Sequence, residues 1–178
     1  MMNNEHVLIR ALEPEDLEHL YTWENNMDLW EVSNTLVPFS HFTLKKYIEN
    51  AHRDIYETKQ LRLMIARRED EAPIGLIDIY DFDPYNRRAG VGIMIYQYAD
   101  RRKGFAGEAI RLILDYCFET LGLHQAYCCI PACNVASVKL FEKVGFSEIG
   151  RCKEWLKRGD IWEDVLYYQL LKSDWYTG

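Results

Sequence analysis

The sequence predicts one α/β (α+β) domain with a mixed, largely antiparallel sheet of about six to seven strands, flanked by about four helices. Helix-like segments fill the first third of the chain, and three consecutive strand-like segments follow them. The second half then alternates helix, strand, helix and two strands. The 178 residues contain no repeat, low-complexity tract or long linker, so we expect a single domain over residues 1–178.

The first half of the chain is predicted to run from a strand through two helices into a strand meander. HVLIRAL is the expected first strand, Pro14 suits the first turn of a helix, and Thr43 is the expected N-cap of the next helix. The three strand-like segments then begin at Leu61, Pro73 and Arg88. Their connections are short, which predicts antiparallel pairing of consecutive strands.

The second half contains the clearest helix signal. Apolar residues recur at helical spacing after Gly104, and the segment QAYCCIP is the expected next strand. Asn134 is expected to cap the helix VASVKLFEKV, which Gly145 ends. The last two strand-like segments are predicted to form a hairpin.

Composition and charge exclude several classes of protein. The net charge of −7 argues against a general nucleic-acid binder. No apolar run approaches the ~20 residues of a membrane helix, and the first residues do not resemble a secretory signal. The five cysteines are odd in number and include no C-x-x-C pair, so we expect no zinc or other metal site and a cytoplasmic location.

The segment RRKGFAG, residues 101–107, predicts an anion site. It lies between a strand and a helix start, where free backbone amides and the helix dipole favour negative charge. Its glycines permit close approach, and its two arginines and lysine add positive charge. The preceding strand carries Gly90 and Gly92 on one face, which predicts a smooth surface along which a slender ligand lies. A pyrophosphate group is the expected ligand of this site.

These features resemble the GNAT (Gcn5-related) acetyltransferases over nearly the whole chain. Arg101-x-x-Gly104-x-Ala106 is similar to the family's pyrophosphate loop, and NVASVKLFEKVGF is similar to its second cofactor segment. GLIDIYDFDPYNRRAG and YTWENNMDLW resemble segments of the group that holds spermidine and ribosomal-protein N-acetyltransferases.

The resemblance implies a site for acetyl-CoA. The amides from Arg102 to Gly107 would hold the pyrophosphate, and backbone groups of Met94 to Tyr96 would pair with the pantetheine. Asn134 would contact the pantetheine arm, with its helix near the thiol. The cofactor-binding residues expected on this basis are Met94, Ile95, Tyr96, Arg101, Arg102, Lys103, Gly104, Phe105, Ala106, Gly107, Asn134, Ser137, Phe141 and Lys143.

Two positions depart from the family's pattern. Phe141 stands where many relatives carry a tyrosine that protonates the leaving thiolate, and Gly90 stands where many carry a glutamate. Amine attack on a thioester remains feasible, because the thiolate is a fair leaving group and orientation supplies much of the rate.

Asp78 is the first candidate for the catalytic base. It alternates with Leu76 and Tyr80 on one face of a strand, so we expect it to point into the cleft. Tyr96 is a second catalytic candidate, as a proton relay. The substrate-binding residues expected are Trp30, Glu31, Asp78 and Asp81.

The resulting hypothesis is an acetyl-CoA-dependent N-acetyltransferase whose acceptor is a primary amine that attacks the thioester directly. The acceptor expected first is a small polycation such as spermidine, and the alternatives are a protein N-terminus and an amino sugar or aminoglycoside. An alternative of another class is a non-catalytic acyl-CoA-binding module, because Gly90 and Phe141 replace the usual catalytic groups. Exposed strand edges leave room for a homodimer.

Overall fold

A computed structural model describes residues 1–33 and 35–177, apart from the side chains of Glu31 and Val32, and its centre is one eight-stranded sheet. The strands are β1 (Met2–Asn3), β2 (Val7–Arg10), β3 (Leu61–Arg67), β4 (Pro73–Asp83), β5 (Arg88–Ile95), β6 (Gln125–Pro131), β7 (Ser147–Arg158) and β8 (Ile161–Leu171).

The strands lie in the order β1-β2-β3-β4-β5-β6-β8-β7. Neighbouring strands are antiparallel except for β5 and β6, which are parallel. The meander β3-β4-β5 that short connections predict is present. The sheet is therefore mixed and largely antiparallel.

Helices cover both faces of this sheet. They are α1 (Leu17–Glu24), α2 (Met27–Ser33), α3 (His41–Glu49), α4 (Ile55–Thr58), α5 (Phe105–Asp115), α6 (Val135–Val144) and α7 (Lys172–Trp175). A 3-10 turn precedes α1, and a π-helical turn, Tyr116–Thr120, continues α5. None of the described helices is long and apolar enough to cross a membrane.

The alternation of side chains along the strands creates two cores. On one face, Ile77 and Ile79 of β4 belong to the cluster that contains Ile110 and Ile113 of α5. On the other face, Leu76 of β4 belongs to a smaller cluster with residues of α1, α2 and α3. Each fully buried aliphatic side chain contributes roughly 2 kcal/mol through removal of apolar surface from water.

The predicted fold class is confirmed, with small differences in the elements. The sheet has more strands than expected, because the two-residue β1 pairs with β2. α3 begins at His41, not at Thr43, because the side chain of Ser40 accepts a hydrogen bond from the Thr43 amide at 3.1 Å. The short helices α2, α4 and α7 were not predicted. Both β6 and α6 have the expected bounds.

Candidate active site

The sheet opens between β5 and β6. These strands pair only where Arg88–Gly90 lies beside Gln125–Tyr127. Beyond that point β5 remains paired with β4 to Ile95, while β6 remains paired with β8 to Pro131. The two strands therefore diverge, and we call the space between them the wedge. Two cavities meet there.

The first cavity, here called the loop groove, has a volume of about 500 Å³. It lies between β5, the segment before α5, and α6. Gly104 caps α5 with φ of +95°, a left-handed conformation that strains residues with a side chain. The first turn of α5 lies in the lining of the groove, so its unpaired amides and dipole create an anion-binding end.

Arg101 strengthens the anion-binding character of the loop groove. Its Nε donates to the Ile95 carbonyl at 2.9 Å, and its guanidinium lies 4.1 Å from the ring centroid of Tyr98. Its Nη2 is buried and has no hydrogen-bond partner within residues 1–33 and 35–177. A buried donor without a partner is costly, so this atom suits a ligand oxygen.

Ion pairs with the buried Asp100 hold the segment before α5 in place. Asp100 is 2% exposed and accepts from Nη1 of Arg67 at 3.0 and 3.1 Å. The Nζ of Lys103 also lies 3.4 Å from Asp100. Lys103 therefore pairs with a buried carboxylate and does not line the groove.

Most of the expected cofactor-binding residues meet in the loop groove. Its lining includes Met94, Ile95, Arg101, Arg102, Gly104, Phe105, Ala106, Gly107, Asn134 and Ser137. Asn134 already caps α6, because its Oδ1 accepts from the Ser137 amide at 3.2 Å. Lys143 is exposed near the end of α6 and lines neither cavity, so its expected role in cofactor binding stays a prediction. Helical rotation turns Lys143 away from Asn134.

The second cavity, here called the carboxylate cavity, has a volume of about 850 Å³. It shares Ile93, Met94, Asn134 and Ser137 with the loop groove, so the two spaces are continuous at the wedge. Leu76, Asp78 and Tyr80 of β4 all line it, as their alternation along the strand predicts.

Three charged side chains lie together in the carboxylate cavity. The Nε and Nη2 of Arg62 donate to the two oxygens of Asp78 at 2.7 and 3.1 Å. The Nη1 of Arg62 donates to Oε1 of Glu24 at 2.8 Å. Arg62 thus joins a carboxylate of β4 to a carboxylate of α1. Among the described residues that line this cavity, these are the charged ones, and they sum to a net charge of −1.

Burial changes the protonation of this group. Glu24 is 7% exposed, and desolvation raises the pKa of its carboxyl despite the attraction of Arg62. Burial works against the charge of Arg62, but Asp78 outweighs it and raises the pKa of the guanidinium. Arg62 therefore remains a cation, whereas Glu24 holds a proton to a higher pH than an exposed glutamate.

The ring of Tyr80 lies over Gly90 and Gly92 of β5 and accounts for the lack of a side chain there. A Cβ on Gly90 would lie 2.2 Å from the Tyr80 ring, and one on Gly92 would lie 3.6 Å from it. The hydroxyl reaches Cys129 on β6, so the ring spans the start of the wedge. The expectation of a smooth surface for a slender ligand over Gly90 is therefore wrong, because the Tyr80 ring occupies that surface.

The two positions considered for proton transfer, Tyr96 and Phe141, both line the carboxylate cavity. Tyr96 lines the carboxylate cavity but is 8% exposed, and its ring stacks on Trp23 at 4.7 Å. Burial raises the pKa of Tyr96, so its hydroxyl stays protonated. Phe141 also lines this cavity and packs edge-on against Phe146 at 5.1 Å.

The expected acceptor-binding residues are not all brought together. Asp81 lies at a bulge between Tyr80 and Asp83 and does not line the cavity, and its Oδ2 accepts from the Tyr127 hydroxyl at 3.2 Å. Trp30 lines neither cavity, because its Nε1 donates to the Glu24 carbonyl at 2.8 Å. The side chain of Glu31 lies outside the described part of the chain.

Comparison with known proteins identifies the family. A family model described as an acetyltransferase (GNAT) domain matches residues 6–147. The chain belongs to the GNAT acetyltransferase family. Members of this family use acetyl-CoA, and the anion-binding end of the loop groove fits its phosphates.

Several relatives of this GNAT acetyltransferase have informative names. Spermidine N(1)-acetyltransferase of Vibrio cholerae is 29% identical, covering 96% of this chain and 95% of that protein. YdaF of Bacillus subtilis, named as a candidate ribosomal N-acetyltransferase, is 30% identical over 97% and 94%. The structure of Vibrio cholerae spermidine N-acetyltransferase with CoA and spermine has a TM-score of 0.86 and 27% identity, covering 97% and 99%.

Glu24 and Arg62 of this GNAT enzyme were missed by sequence reasoning. Arg62 faces Asp78 in the β3–β4 register, a position that the two strand segments could have suggested. The role of Glu24 depends on how α1 packs on the sheet, and no local sequence pattern indicates this packing.

Proposed function

We propose that this enzyme transfers the acetyl group of acetyl-CoA to a primary amine, and that the amine belongs to a polyamine such as spermidine. The observation that carries the proposal is the junction of two cavities at the wedge. One cavity ends at a helix N-terminus suited to a pyrophosphate, and the other has a net negative charge suited to an amine.

The bound donor supplies an acetyl group activated as a thioester. The amides before and within the first turn of α5, together with Arg101, would hold its phosphates. Asp78 would take the proton of the acceptor's ammonium, since carboxylate oxygens have lone pairs beyond those that Arg62 uses. The amine nitrogen then bonds to the acetyl carbon, the carbon–sulfur bond breaks, and the second amine proton neutralises the thiolate through water.

A protein N-terminus is the second candidate acceptor. Leu36 and Val37 line the carboxylate cavity while remaining largely exposed, so its rim is apolar enough for a peptide side chain. The name of the Bacillus subtilis relative agrees with this candidate. The negative charge of the cavity favours the polyamine, because a polyamine has more than one ammonium group. The N-terminus of a peptide supplies one.

The first test is release of free CoA from acetyl-CoA in the presence of spermidine, a short peptide with a free N-terminus, or an aminoglycoside. The expected result is release that depends on spermidine. Release only with the peptide would favour the second candidate. Binding of acetyl-CoA without release with any amine would contradict the enzyme proposal and indicate a binding module.

Asp78→Asn tests the proposed base. It should lower kcat by about 100-fold, the usual scale for loss of a general base, with little change in affinity for CoA. Asp81→Asn is the matched control, because Asp81 lies on the same strand but outside the carboxylate cavity. Equal activity of Asp78→Asn and the wild type would remove Asp78 from the mechanism.

A further inference from the structure

The two carboxylates of the carboxylate cavity differ in how Arg62 binds them. Both oxygens of Asp78 accept from the fork of the guanidinium. Glu24 uses Oε1 alone, and within the described part of the chain no hydrogen bond reaches its Oε2. Glu24 is also more than nine-tenths buried and lines the cavity. Within the described residues, Oε2 is not among the fully buried atoms that lack a partner, so it is an accessible acceptor that a ligand can reach from inside the cavity.

We propose that Glu24 binds a second ammonium group of the acceptor, so that the enzyme selects diamines over monoamines of equal length. This inference rests on the proposed function. It adds a specificity-determining residue on α1 and assigns the two nitrogens of the acceptor to different carboxylates.

The second oxygen of Glu24 supports a second nitrogen. During the attack Asp78 holds the proton of the reacting amine and is neutral, so Glu24 is the remaining negative charge beside Arg62. Arg62 donates to Oε1 of Glu24 and leaves Oε2 for another donor. The ammonium of a diamine can donate to Oε2 in a charge-assisted hydrogen bond, which a monoamine lacks, and this difference favours the diamine.

The order of residues across the sheet gives the two nitrogens separate places. Gly92 on β5 pairs with Asp78 on β4, and Asp78 pairs with Arg62 on β3. Neighbouring strands are about 4.8 Å apart, so Arg62 lies roughly 10 Å from β5 and Asp78 about half as far. Asp78 contacts Nε and Nη2 of Arg62, whereas Glu24 contacts Nη1, so the two carboxylates lie at different edges of one guanidinium. An alkyl chain of a few carbons can therefore join an amine at Asp78 to an ammonium at Glu24.

The test compares α,ω-diaminoalkanes with n-alkylamines of the same chain length in the CoA-release assay. The wild type should have a higher kcat/KM for the diamine of best-fitting length. Glu24→Gln should lower kcat/KM for that diamine by about 10- to 100-fold, the usual effect of losing a hydrogen bond to a charged group. The loss for the monoamine should be several-fold smaller, because the monoamine has no ammonium at Glu24.

Two further variants complete the experiment. Glu24→Asp keeps the charge and should retain part of the diamine preference. Glu18→Gln lies on the same helix with an exposed side chain and should behave like the wild type. Calorimetric titration with CoA verifies that each variant is folded.

Each contrary outcome has its own meaning. Turnover with an unaltered diamine preference in Glu24→Gln would overturn this inference alone. Equal losses for diamine and monoamine would also overturn it, because Glu24 would then act only on the structure of the cavity. Failure of the wild type to acetylate either class of amine would overturn the proposed function and this inference with it.

Discussion

The ring of Tyr80 packs directly on Gly90 at the start of the wedge. Gly90→Ala would place a methyl group 2.2 Å from the Tyr80 ring, so ring or strand must move. We expect a loss of about 1–3 kcal/mol in the free energy of unfolding, the usual cost of overpacking. Urea denaturation measures it. In a Tyr80→Ala background the same change should cost much less, because the two sites are coupled.

Gly92→Ala provides the matched control on the same strand face. Its Cβ would lie 3.6 Å from the Tyr80 ring, an ordinary contact distance. Replacement of glycine in a compatible conformation stabilises by about 0.4–1 kcal/mol through the unfolded state, so the sign should be opposite. Equal effects at both positions would contradict the packing role of Tyr80.

The diamine preference should depend on pH through Glu24. Burial raises the pKa of this carboxyl, Arg62 and Asp78 are the charged groups that act on it, and Tyr47 and Tyr96 are titratable neighbours whose own pKa values its charge raises. As the pH falls through this raised pKa, Glu24 becomes neutral and loses its attraction for the second ammonium. The ratio of kcat/KM for diamine and monoamine should therefore fall at a pH above the ordinary glutamate range near ~4.3. Glu24→Gln should show a low, constant ratio.

At the scale of elements, the N-terminus of α5 determines binding of the donor. Gly104→Glu would introduce a negative charge and strain a residue at φ of +95°. We expect CoA binding to be lost in calorimetry while circular dichroism still shows the folded chain. Gly159→Glu is the control, since Gly159 also has a positive φ, +57°, but lies in the β7–β8 turn. Retained CoA binding in Gly104→Glu would contradict the role of the loop groove.

Elements with strong local signals were predictable, and those that depend on distant contacts were not. α6 has its expected bounds because Asn134 and Gly145 mark its two ends. The loop groove was predictable for the same reason, since a glycine-containing loop before a helix is a local feature. Of the three charged residues of the carboxylate cavity, only Asp78 was predicted. Glu24 and Arg62 join it through the packing of α1 on β3, which no single segment of sequence encodes.

Asp81 shows a second limit of sequence reasoning. Regular alternation places residue 81 on the face opposite Asp78, and the resemblance suggested an acceptor role. The bulge between Tyr80 and Asp83 instead gives Asp81 a φ of +48° and pairs it with Tyr127. Bulges shift register by one residue and leave little trace in composition.

At the scale of the whole molecule, CoA should stabilise the fold, because its site includes parts of β5, α5 and α6. At a concentration about 100 times Kd, binding adds about 2.7 kcal/mol. For a domain of this size that corresponds to a rise in Tm of roughly 5–10 °C. A thermal-shift assay measures it. Lys143→Glu should keep the full rise, since Lys143 lies outside the groove. A smaller rise in that variant would contradict this placement.

The brief contact between β5 and β6 has a mechanical consequence. Three residue pairs form the backbone ladder between the five strands on one side and the three on the other. The core cluster around α5 carries the rest of the connection, because it includes residues of both groups of strands. A CoA molecule bound in the wedge would contact both groups and would restrict their motion relative to each other. We expect each turnover to include one restriction and one release of this motion.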